Sequence, residues 1–160
     1  MSTVPILNGQ QPHPVAKGTL NATMVARTTA HLEALGQSVR VTRIEEGYDV
    51  DAQIASHPWA ETVIMQFPVN WIGVPWPFKK CVDEVHTAGL DGRLCEGDGR
   101  TAEAPKANCG LGGTLTGRHS MPSVTLSAPE AAFASPQEPF FEGPGSTICS
   151  GRCISTPPPR

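Results

Sequence analysis

The segment Thr62–Phe67 restricts what this chain can fold into more than any other, because it is almost wholly apolar. A short apolar run of this kind predicts a central strand covered on both faces, as in a parallel sheet. The segment Pro68–Lys80 follows it, rich in Pro, Gly and Trp, and leads into an amphipathic helix. A strand that ends in such a loop before a helix is a common setting for a flat, apolar ligand.

Other strands and helices alternate around this segment. The predicted strands are Val4–Asn8, Val39–Ile44, Thr62–Phe67 and His119–Leu126, the last with Pro122 inside it. The predicted helices open at Gly18-Thr19, Tyr48 and Trp76-Pro77 and close at Gly36, Ser56 and Gly89. Helical spacing is carried in the first by Leu20, Met24, His31, Leu32 and Leu35, and in the third by Phe78, Cys81, Val82 and Val85. This alternation predicts an α/β fold with a parallel sheet and ligand loops at its C-terminal edge.

Composition excludes several classes of protein. The 160 residues suit one domain, and 39% apolar with 17% charged residues is typical of neither a disordered chain nor a membrane protein. No apolar run approaches the roughly 20 residues of a membrane helix, and the N-terminus has no secretory signal pattern. A net charge of −3 argues against a nucleic-acid partner. Five Cys without C-x-x-C spacing predict free thiols in a reducing cytoplasm and no metal site.

Two segments are candidate ligand sites. Gly18–Thr23 places backbone N–H groups and hydroxyls at a helix N-terminus, which favours phosphate, although an ordinary helix cap explains the same residues and no Walker Lys or G-x-G-x-x-G pattern is present. In Pro68–Lys80, Trp71 is a stacking surface for a ring system such as flavin, and Gly73 exposes backbone N–H groups. The alternative is that the Trp residues belong to the core, which we favour for Trp59.

The remaining loops and cysteines carry weaker signals. The stretch 91–117 predicts a long loop, and loops of that length are usually functional. Within it, Asn108–Gly113 taken alone is only a flexible Gly-rich segment. Cys81 is predicted to be a buried small hydrophobe, whereas a Cys-His nucleophile pair stays open because nothing selects one cysteine over the others.

Several motifs in order resemble a known family. The chain resembles the flavodoxin-like NAD(P)H:quinone oxidoreductases of the modulator-of-drug-activity-B type, relatives of the DT-diaphorase group. The most specific match is the Trp-x-Gly-x-Pro-Trp-x-x-Lys-Lys pattern at 71–80. The other matching motifs are Ile6-Leu7-Asn8-Gly9, Gly18-Thr19-Leu20-Asn21, Gly47-Tyr48-Asp49-Val50, Asp98-Gly99-Arg100-Thr101, Gly110 to Gly113, and Ala128-Pro129 with Ala132-Phe133.

The resemblance implies a fold, a reaction and a set of site residues. The fold is a flavodoxin-like parallel sheet with helices on both faces. The reaction is two-electron transfer from NADPH or NADH through bound FAD, with FMN less favoured, to a quinone, in a cytoplasmic homodimer that does not insert into membranes. The implied cofactor-binding residues are Ala16, Lys17, Gly18, Thr19, Leu20, Asn21, Ala22 and Thr23 for the phosphates, Val69, Asn70, Trp71 and Ile72 for the isoalloxazine, and Cys109, Thr125, Leu126, Ser127 and Ala128 at the flavin or substrate pocket. The resemblance assigns no catalytic side chain.

The chain departs from the family pattern at several positions. Cys81, His86, Cys95 and Cys109 stand where the family usually has an aromatic residue, and Leu126 replaces a usual Trp. Cys109 and Leu126 remove stacking surface from the pocket itself, each at a cost on the order of 1 kcal/mol in flavin affinity. A catalytically silent flavin-binding or interaction protein therefore remains the alternative to the enzyme. A plain electron-carrier flavodoxin is disfavoured because that group has a more acidic surface.

The C-terminal part reads differently from the rest. Seven of the 16 Pro lie in the last 32 residues, and the family pattern stops after Gly145. A shifted reading frame can restore a family-like Val-Asp-Asp segment there, so we hypothesise that residues from about 146 onward are out-of-frame coding. We accordingly expect a flavodoxin-like domain at 1–143, a disordered tail at 144–160, and loss of the last strand and helix. The fourth strand would then be an exposed edge, with low stability and weak flavin retention.

Overall fold

The computed structural model describes residues 3–58, 60–71 and 73–127. The chain divides into a unit of Met1–Thr125 and a unit of Leu126–Arg160, and only Leu126 and Ser127 of the second are described. The expected tail at 144–160 and the core position expected for Trp59 therefore lie outside the described residues. The domain boundaries expected from the sequence remain predictions.

The first unit alternates strands and helices as the sequence predicts. Its strands are β1 (Thr3–Asn8), β2 (Ser38–Arg43), β3 (Thr62–Pro68) and β4 (His119–Thr125), and its α-helices are α1 (Thr19–Ala34), α2 (Val50–Ser56) and α3 (Trp76–Ala88). Short 3₁₀ turns occupy Ile44–Glu46 and Gly89–Asp91. The second helix begins two residues later than predicted, because the Asp49 carboxylate accepts the Ala52 N–H at 2.7 Å and so caps the helix at its own position.

All four strands pair in parallel, in the order β2-β1-β3-β4. The chain runs from β1 outward to β2 and then returns past β1 to β3, so the connections that leave β1 and β3 diverge to opposite faces of the sheet. Such a switch point, at the carboxyl ends of the strands, is where open α/β sheets bind ligands. Ile6–Asn8 pair with Ile64–Gln66, which brings the ends of these two strands together.

The two faces of the sheet are covered by different helices. On one face, α2 and α3 pack over β1 and β3 around Leu7, Ile54, Val63, Phe67 and Phe78, and the rings of Phe67 and Phe78 lie 5.0 Å apart between centroids. On the other face, α1 packs over Val4, Ile6 and Ile64 through Val25. The predicted coverage of β3 on both faces is confirmed.

The third helix matches its predicted apolar face, whereas the first matches it only at Leu32, which is half-buried against the cluster around Ile6. Phe78, Cys81 and Val85 are buried on α3. On α1 the apolar residues Leu20, Met24 and Leu35 are exposed, and Asn21 and Val25 are the buried ones. The helix is rotated toward Asn21 because that amide is hydrogen-bonded inside the fold. Leaving a buried amide without partners costs about 1–3 kcal/mol, comparable to what burying a single leucine returns.

Candidate functional site at the switch point

The two loops predicted to bind a ligand leave neighbouring strand ends. The first runs from Gly9 to Gly18 between β1 and α1, and the second from Val69 to Pro75 between β3 and α3. A backbone bond from Gly9 N–H to the Gln66 carbonyl, 2.9 Å long, joins the start of the first loop to β3. Both loops therefore lie at the carboxyl edge of the sheet, beside its switch point.

The first loop is folded back on itself. His13 and Ala16 exchange two backbone hydrogen bonds of 3.0 and 2.9 Å around Pro14 and Val15, which forms a small exposed hairpin. The loop ends at Gly18, whose φ of +72° lies in the left-handed region. A side chain at this position would be strained, and its Cβ would lie 1.9 Å from Gln10 Nε2.

The helix that follows the loop begins without a side-chain cap. Gly18 offers no capping side chain, and the first backbone bond runs from Ala22 N–H to the Gly18 carbonyl. The N–H groups of the first turn therefore have no hydrogen-bond acceptor within the helix. No acidic residue lies in this turn, and the exposed Lys17 precedes it. Helix dipole and lysine give this end of α1 a positive field suited to an anion.

One predicted phosphate ligand has its side chain committed elsewhere. Asn21 is 1% exposed; its Nδ2 donates to Asn8 Oδ1 at 2.7 Å, and its Oδ1 accepts from Gln66 Nε2 at 3.0 Å. Any contact of Asn21 with a phosphate is thus limited to its backbone N–H. The other predicted residues of this group are at least partly exposed: Ala16, Lys17, Gly18, Thr19, Leu20, Ala22 and Thr23.

The second loop presents a strained tryptophan. Asn70 and Gly73 exchange two backbone hydrogen bonds of 2.9 and 3.0 Å, so the chain turns through the two residues between them. Trp71 occupies this turn with φ +49° and its side chain is fully exposed. Positive φ is a true outlier for a bulky residue, and outliers of this kind cluster at functional sites. Ile72 lies outside the described residues.

The second loop is also tied to the edge strand. Val69 N–H donates to the Thr125 carbonyl at 2.9 Å, which continues the β3–β4 pairing beyond the end of β3. Thr125 therefore lies beside Val69, and the structure brings these two predicted residues together. Leu126 and Ser127 belong to the second unit, and Ala128 lies outside the described residues.

The long loop is irregular, as predicted, but its Gly-rich segment has defined partners. Glu96 N–H donates to the Gly112 carbonyl at 2.8 Å, and Gly110 N–H donates to the Asp98 carbonyl at 2.7 Å. A Cβ at Gly99 or Gly112 would meet facing backbone at 2.3 or 2.1 Å, so glycine is required for this close approach. The expectation that Asn108–Gly113 is only a flexible segment was therefore wrong, since backbone hydrogen bonds with Glu96 and Asp98 of the same loop organise it. Cys109 projects from it and is exposed.

The charged residues at the start of α3 are paired. Lys79 Nζ lies 2.6 Å from Asp83 Oδ1, and Lys80 Nζ lies 3.2 Å from Glu84 Oε1. The Tyr48 hydroxyl donates to the Glu84 carboxylate, and this bond and Lys80 hold the pKa of Glu84 below its usual value. Both lysines are exposed, away from the core, as predicted. Their attraction for a ligand is reduced because each already faces a carboxylate.

Cys81 behaves as the buried hydrophobe that was predicted. It is 2% exposed in the α3 core, and burial, followed by the nearby Glu84 carboxylate, raises the pKa of its thiol to about 11. A thiol of this kind stays protonated and unreactive at neutral pH. Across the described residues, no group of three or more His, Cys, Asp or Glu side chains is placed to hold a metal ion.

Sequence reasoning missed Gln10 and Gln66. Both are buried, at 6% and 2% exposure, and both hydrogen-bond into the first loop or its helix. A signal for Gln66 was available, since it is the one amide inside the otherwise apolar strand Thr62–Phe67. A buried polar residue normally has partners, so this glutamine pointed to an internal network.

Comparison with known proteins identifies the class. The chain belongs to the family described as having the flavodoxin-like fold, whose model matches residues 3–143. It is 41% identical over 143 residues to the NADPH:quinone oxidoreductase MdaB of Haemophilus influenzae, covering 89% of this chain and 73% of that protein. It is 40% identical over 142 residues to an uncharacterised protein of Schizosaccharomyces pombe, covering 88% of this chain and 70% of the relative.

Solved structures agree on the fold. A candidate quinone reductase from Klebsiella pneumoniae superimposes with a TM-score of 0.63 at 22% identity, covering 92% of this chain and 66% of that one. The general stress protein 14 of Treponema denticola, solved in complex with FMN, gives a TM-score of 0.56 at 18% identity, covering 95% of this chain and 76% of that one. At these identities the likeness establishes the fold. Within residues 3–58, 60–71 and 73–127, no helix is long and apolar enough to span a bilayer.

Proposed function

We propose that this protein is an FAD-dependent NAD(P)H:quinone oxidoreductase that moves two electrons from NADPH or NADH to a quinone. The observation that carries the proposal is Trp71, which is fully exposed at φ +49° directly beyond a central strand. Such backbone strain costs on the order of 1–3 kcal/mol and persists where it serves a purpose. Stacking of a flat ring on the exposed indole supplies that purpose.

The donor set at the switch point fits a flavin phosphate. The uncapped N-terminus of α1, the glycine turn at Gly18 and the exposed Lys17 together offer backbone donors and positive charge. We assign the phosphates to Ala16–Thr23, the isoalloxazine to Val69–Ile72, and the surrounding pocket to Cys109 and Thr125–Ala128. A bound flavin would supply the two-electron hydride chemistry, while the protein holds and orients it.

The relatives support the reaction class. The Haemophilus protein is named for NADPH:quinone oxidoreductase activity, and this chain spans 73% of its length at 41% identity. We extend to this chain a quinone substrate, a homodimer and a cytoplasmic location. FAD is preferred over FMN because the sequence pattern resembles an FAD-dependent group, although the Treponema protein carries FMN.

A catalytically silent flavin-binding protein is the second candidate. It is favoured by Cys109, an exposed thiol where the resembled family has an aromatic ring. A smaller side chain leaves less surface for stacking a quinone above the flavin. The pocket would then hold flavin without positioning a substrate.

The decisive experiment is an absorbance spectrum of the purified full chain, followed by quinone reduction with NADPH and with NADH. Flavin bands together with turnover support the enzyme, and flavin without turnover supports the silent protein. Mass spectrometry of the released flavin separates FAD from FMN. Failure to bind either flavin, at concentrations that saturate a flavodoxin-like control, contradicts both candidates.

A pair of tryptophan variants tests the assignment of the second loop. Trp71→Ala should weaken flavin binding on the order of tenfold, since stacking on an aromatic side chain is worth roughly 1–3 kcal/mol. Trp76→Ala is the matched control, because Trp76 is also exposed but lies in the first turn of α3 with helical backbone. Equal effects at both positions would contradict the special role of Trp71.

A further inference from the structure

Three buried side-chain amides are hydrogen-bonded in series beneath the first loop, and a fourth, that of Gln10, is joined to them through its own backbone. Gln66 Nε2 donates to Asn21 Oδ1 at 3.0 Å, and Asn21 Nδ2 donates to Asn8 Oδ1 at 2.7 Å. Asn8 Oδ1 also accepts the backbone N–H of Gln10 at 3.2 Å. The side chain of Gln10 then reaches across the loop, donating from Nε2 to the Lys17 carbonyl at 3.2 Å. This hydrogen-bond network thus connects β3, α1 and β1 to the residue before Gly18.

Two backbone groups fix the direction of every bond, since the Lys17 carbonyl can only accept from Gln10 Nε2 and the Gln10 N–H sets the other three. The Gln10 N–H can only donate, so Asn8 must present its oxygen to it. Asn21 must then present its nitrogen to that same oxygen, which leaves its own oxygen for Gln66. Because no amide in the chain can flip without losing a bond, the network admits a single arrangement.

This arrangement sets where the loop and the helix end lie. Asn21 is in the first turn of α1, so its two bonds hold the helix N-terminus against the ends of β1 and β3. Gln10 closes the loop from inside, in the space that a side chain at Gly18 would occupy. The residues of the network are 1–6% exposed, so their side chains are not available to a ligand.

We propose that Gln66 and Asn21 are positioning residues for the phosphate of the flavin, acting through the placement of the Gly18–Asn21 backbone. The inference rests on the proposed function and adds to it the residues that determine how well the flavin phosphate is bound. Gln66 lies on β3, outside the phosphate loop, and is 2% exposed. The hydrogen bond of its side chain to this region is made to Asn21, so we expect a side-chain replacement at Gln66 to act on phosphate binding through Asn21.

The test compares FMN with riboflavin, which differ only by the phosphate, in fluorescence titrations of the full chain. The ratio of the two dissociation constants measures the phosphate contribution. Gln66→Met preserves side-chain volume but leaves Asn21 Oδ1 without a donor. We expect it to lower the preference for FMN over riboflavin by roughly 5- to 30-fold. The backbone N–H groups at the start of α1 would be displaced and would bind the phosphate less well.

Gln53→Met is the matched control. Gln53 is also a buried glutamine, at 7% exposure, on α2 at the opposite face, where its Nε2 donates to Thr42 Oγ1 at 3.1 Å. The variant removes this bond and should leave the FMN-to-riboflavin ratio unchanged, whatever its effect on the melting temperature. A purely structural role for Gln66 would give the same pattern in both variants.

A second variant guards against loss of folding. Gln10→Met removes only the bond to the Lys17 carbonyl, within the loop, and should also lower the ratio. An unchanged ratio in both Gln66→Met and Gln10→Met overturns the inference while leaving the proposed function standing. A wild-type chain that binds none of FAD, FMN and riboflavin overturns the proposed function as well, so the two failures are distinguishable.

Discussion

The two faces of the sheet are stabilised by different means. The face under α2 and α3 is an apolar core with paired aromatic rings, Phe67 and Phe78. The face under α1 has a small apolar cluster around Ile6 and Val25 beside the amide chain that includes Asn21. Apolar packing is tolerant of exchange among side chains of similar volume, whereas a hydrogen-bonded chain fixes one geometry. The first face therefore supplies stability, and the second supplies the positional accuracy that the proposed phosphate loop would need.

Truncating the apolar face should have the largest effect. Phe78 is 2% exposed, and its ring also lies against Gly9, where a Cβ would come within 2.6 Å of it. Phe78→Ala should lower the free energy of unfolding by about 3–5 kcal/mol, measured by urea denaturation. Val25→Ala on the α1 face should cost only about 1–2 kcal/mol. Similar losses from both would remove the distinction between the faces.

The burial of Cys81 on that face can be tested through the pH dependence of stability that its thiol causes. Burial raises the pKa of Cys81 to about 11, whereas an unfolded chain ionises near the ordinary value of 9.0. The unfolded state therefore loses its proton first, and stability should fall as the pH rises from 9 to 11, by up to ~1.4 kcal/mol per pH unit. Chemical denaturation across this range checks the slope.

Cys81→Ala is the control for the alkaline slope. The variant should be less stable at neutral pH because it leaves a cavity, but the contribution of this thiol to the alkaline slope should vanish. A slope that is the same in both proteins would mean that another group, such as Tyr48, whose pKa is also raised, causes it instead.

How far the fold could be read from sequence differs between the same two faces. The spacing of Phe78, Cys81 and Val85 marks the buried side of α3 directly, because apolar periodicity is a local property. The buried side of α1 was missed because it is decided by Asn21, whose partners lie 13 and 45 residues away. Amide pairing over such distances leaves no periodic trace.

The candidate site shows the same limit. The sequence located both loops, because Gly18 and the Pro/Gly/Trp-rich segment are local turn signals. It did not predict the positive φ of Trp71, since tryptophan has no preference for that conformation. Nor did it predict the close packing of Gly99 against Asn108 and of Gly112 against Gly97 within the long loop, which joins residues nine and fifteen positions apart.

Gly18, at the start of α1, allows us to test whether the first loop must be held in one position on the α1 face. Gly18→Ala places a Cβ where Gln10 Nε2 now lies, 1.9 Å away, so Gln10 must release the Lys17 carbonyl. We expect a loss of about 1–2 kcal/mol in stability from left-handed strain, together with weaker FMN binding. Differential scanning fluorimetry and FMN titration measure the two effects.

Gly36→Ala separates strain from displacement. Gly36 also has a positive φ, +77°, after α1, but nothing lies within 4 Å of its Cβ position. It should show a similar stability loss and normal FMN binding. If both variants bind FMN equally well, the loop does not depend on Gln10.

The smallest expected effect concerns Trp71, and its sign is the informative part. Asparagine tolerates positive φ far better than tryptophan, so Trp71→Asn should relieve backbone strain and raise stability by about 0.5–1 kcal/mol without ligand. The same change removes the exposed indole, so flavin binding should weaken on the order of tenfold. Thermal unfolding of the flavin-free protein and flavin titration measure the two quantities separately.

Trp71→Phe keeps both the ring and the strain, and should leave stability unchanged and much of the binding intact. Stability that falls in Trp71→Asn would mean that the indole packs within the fold, and would remove the reason for treating this turn as a binding surface.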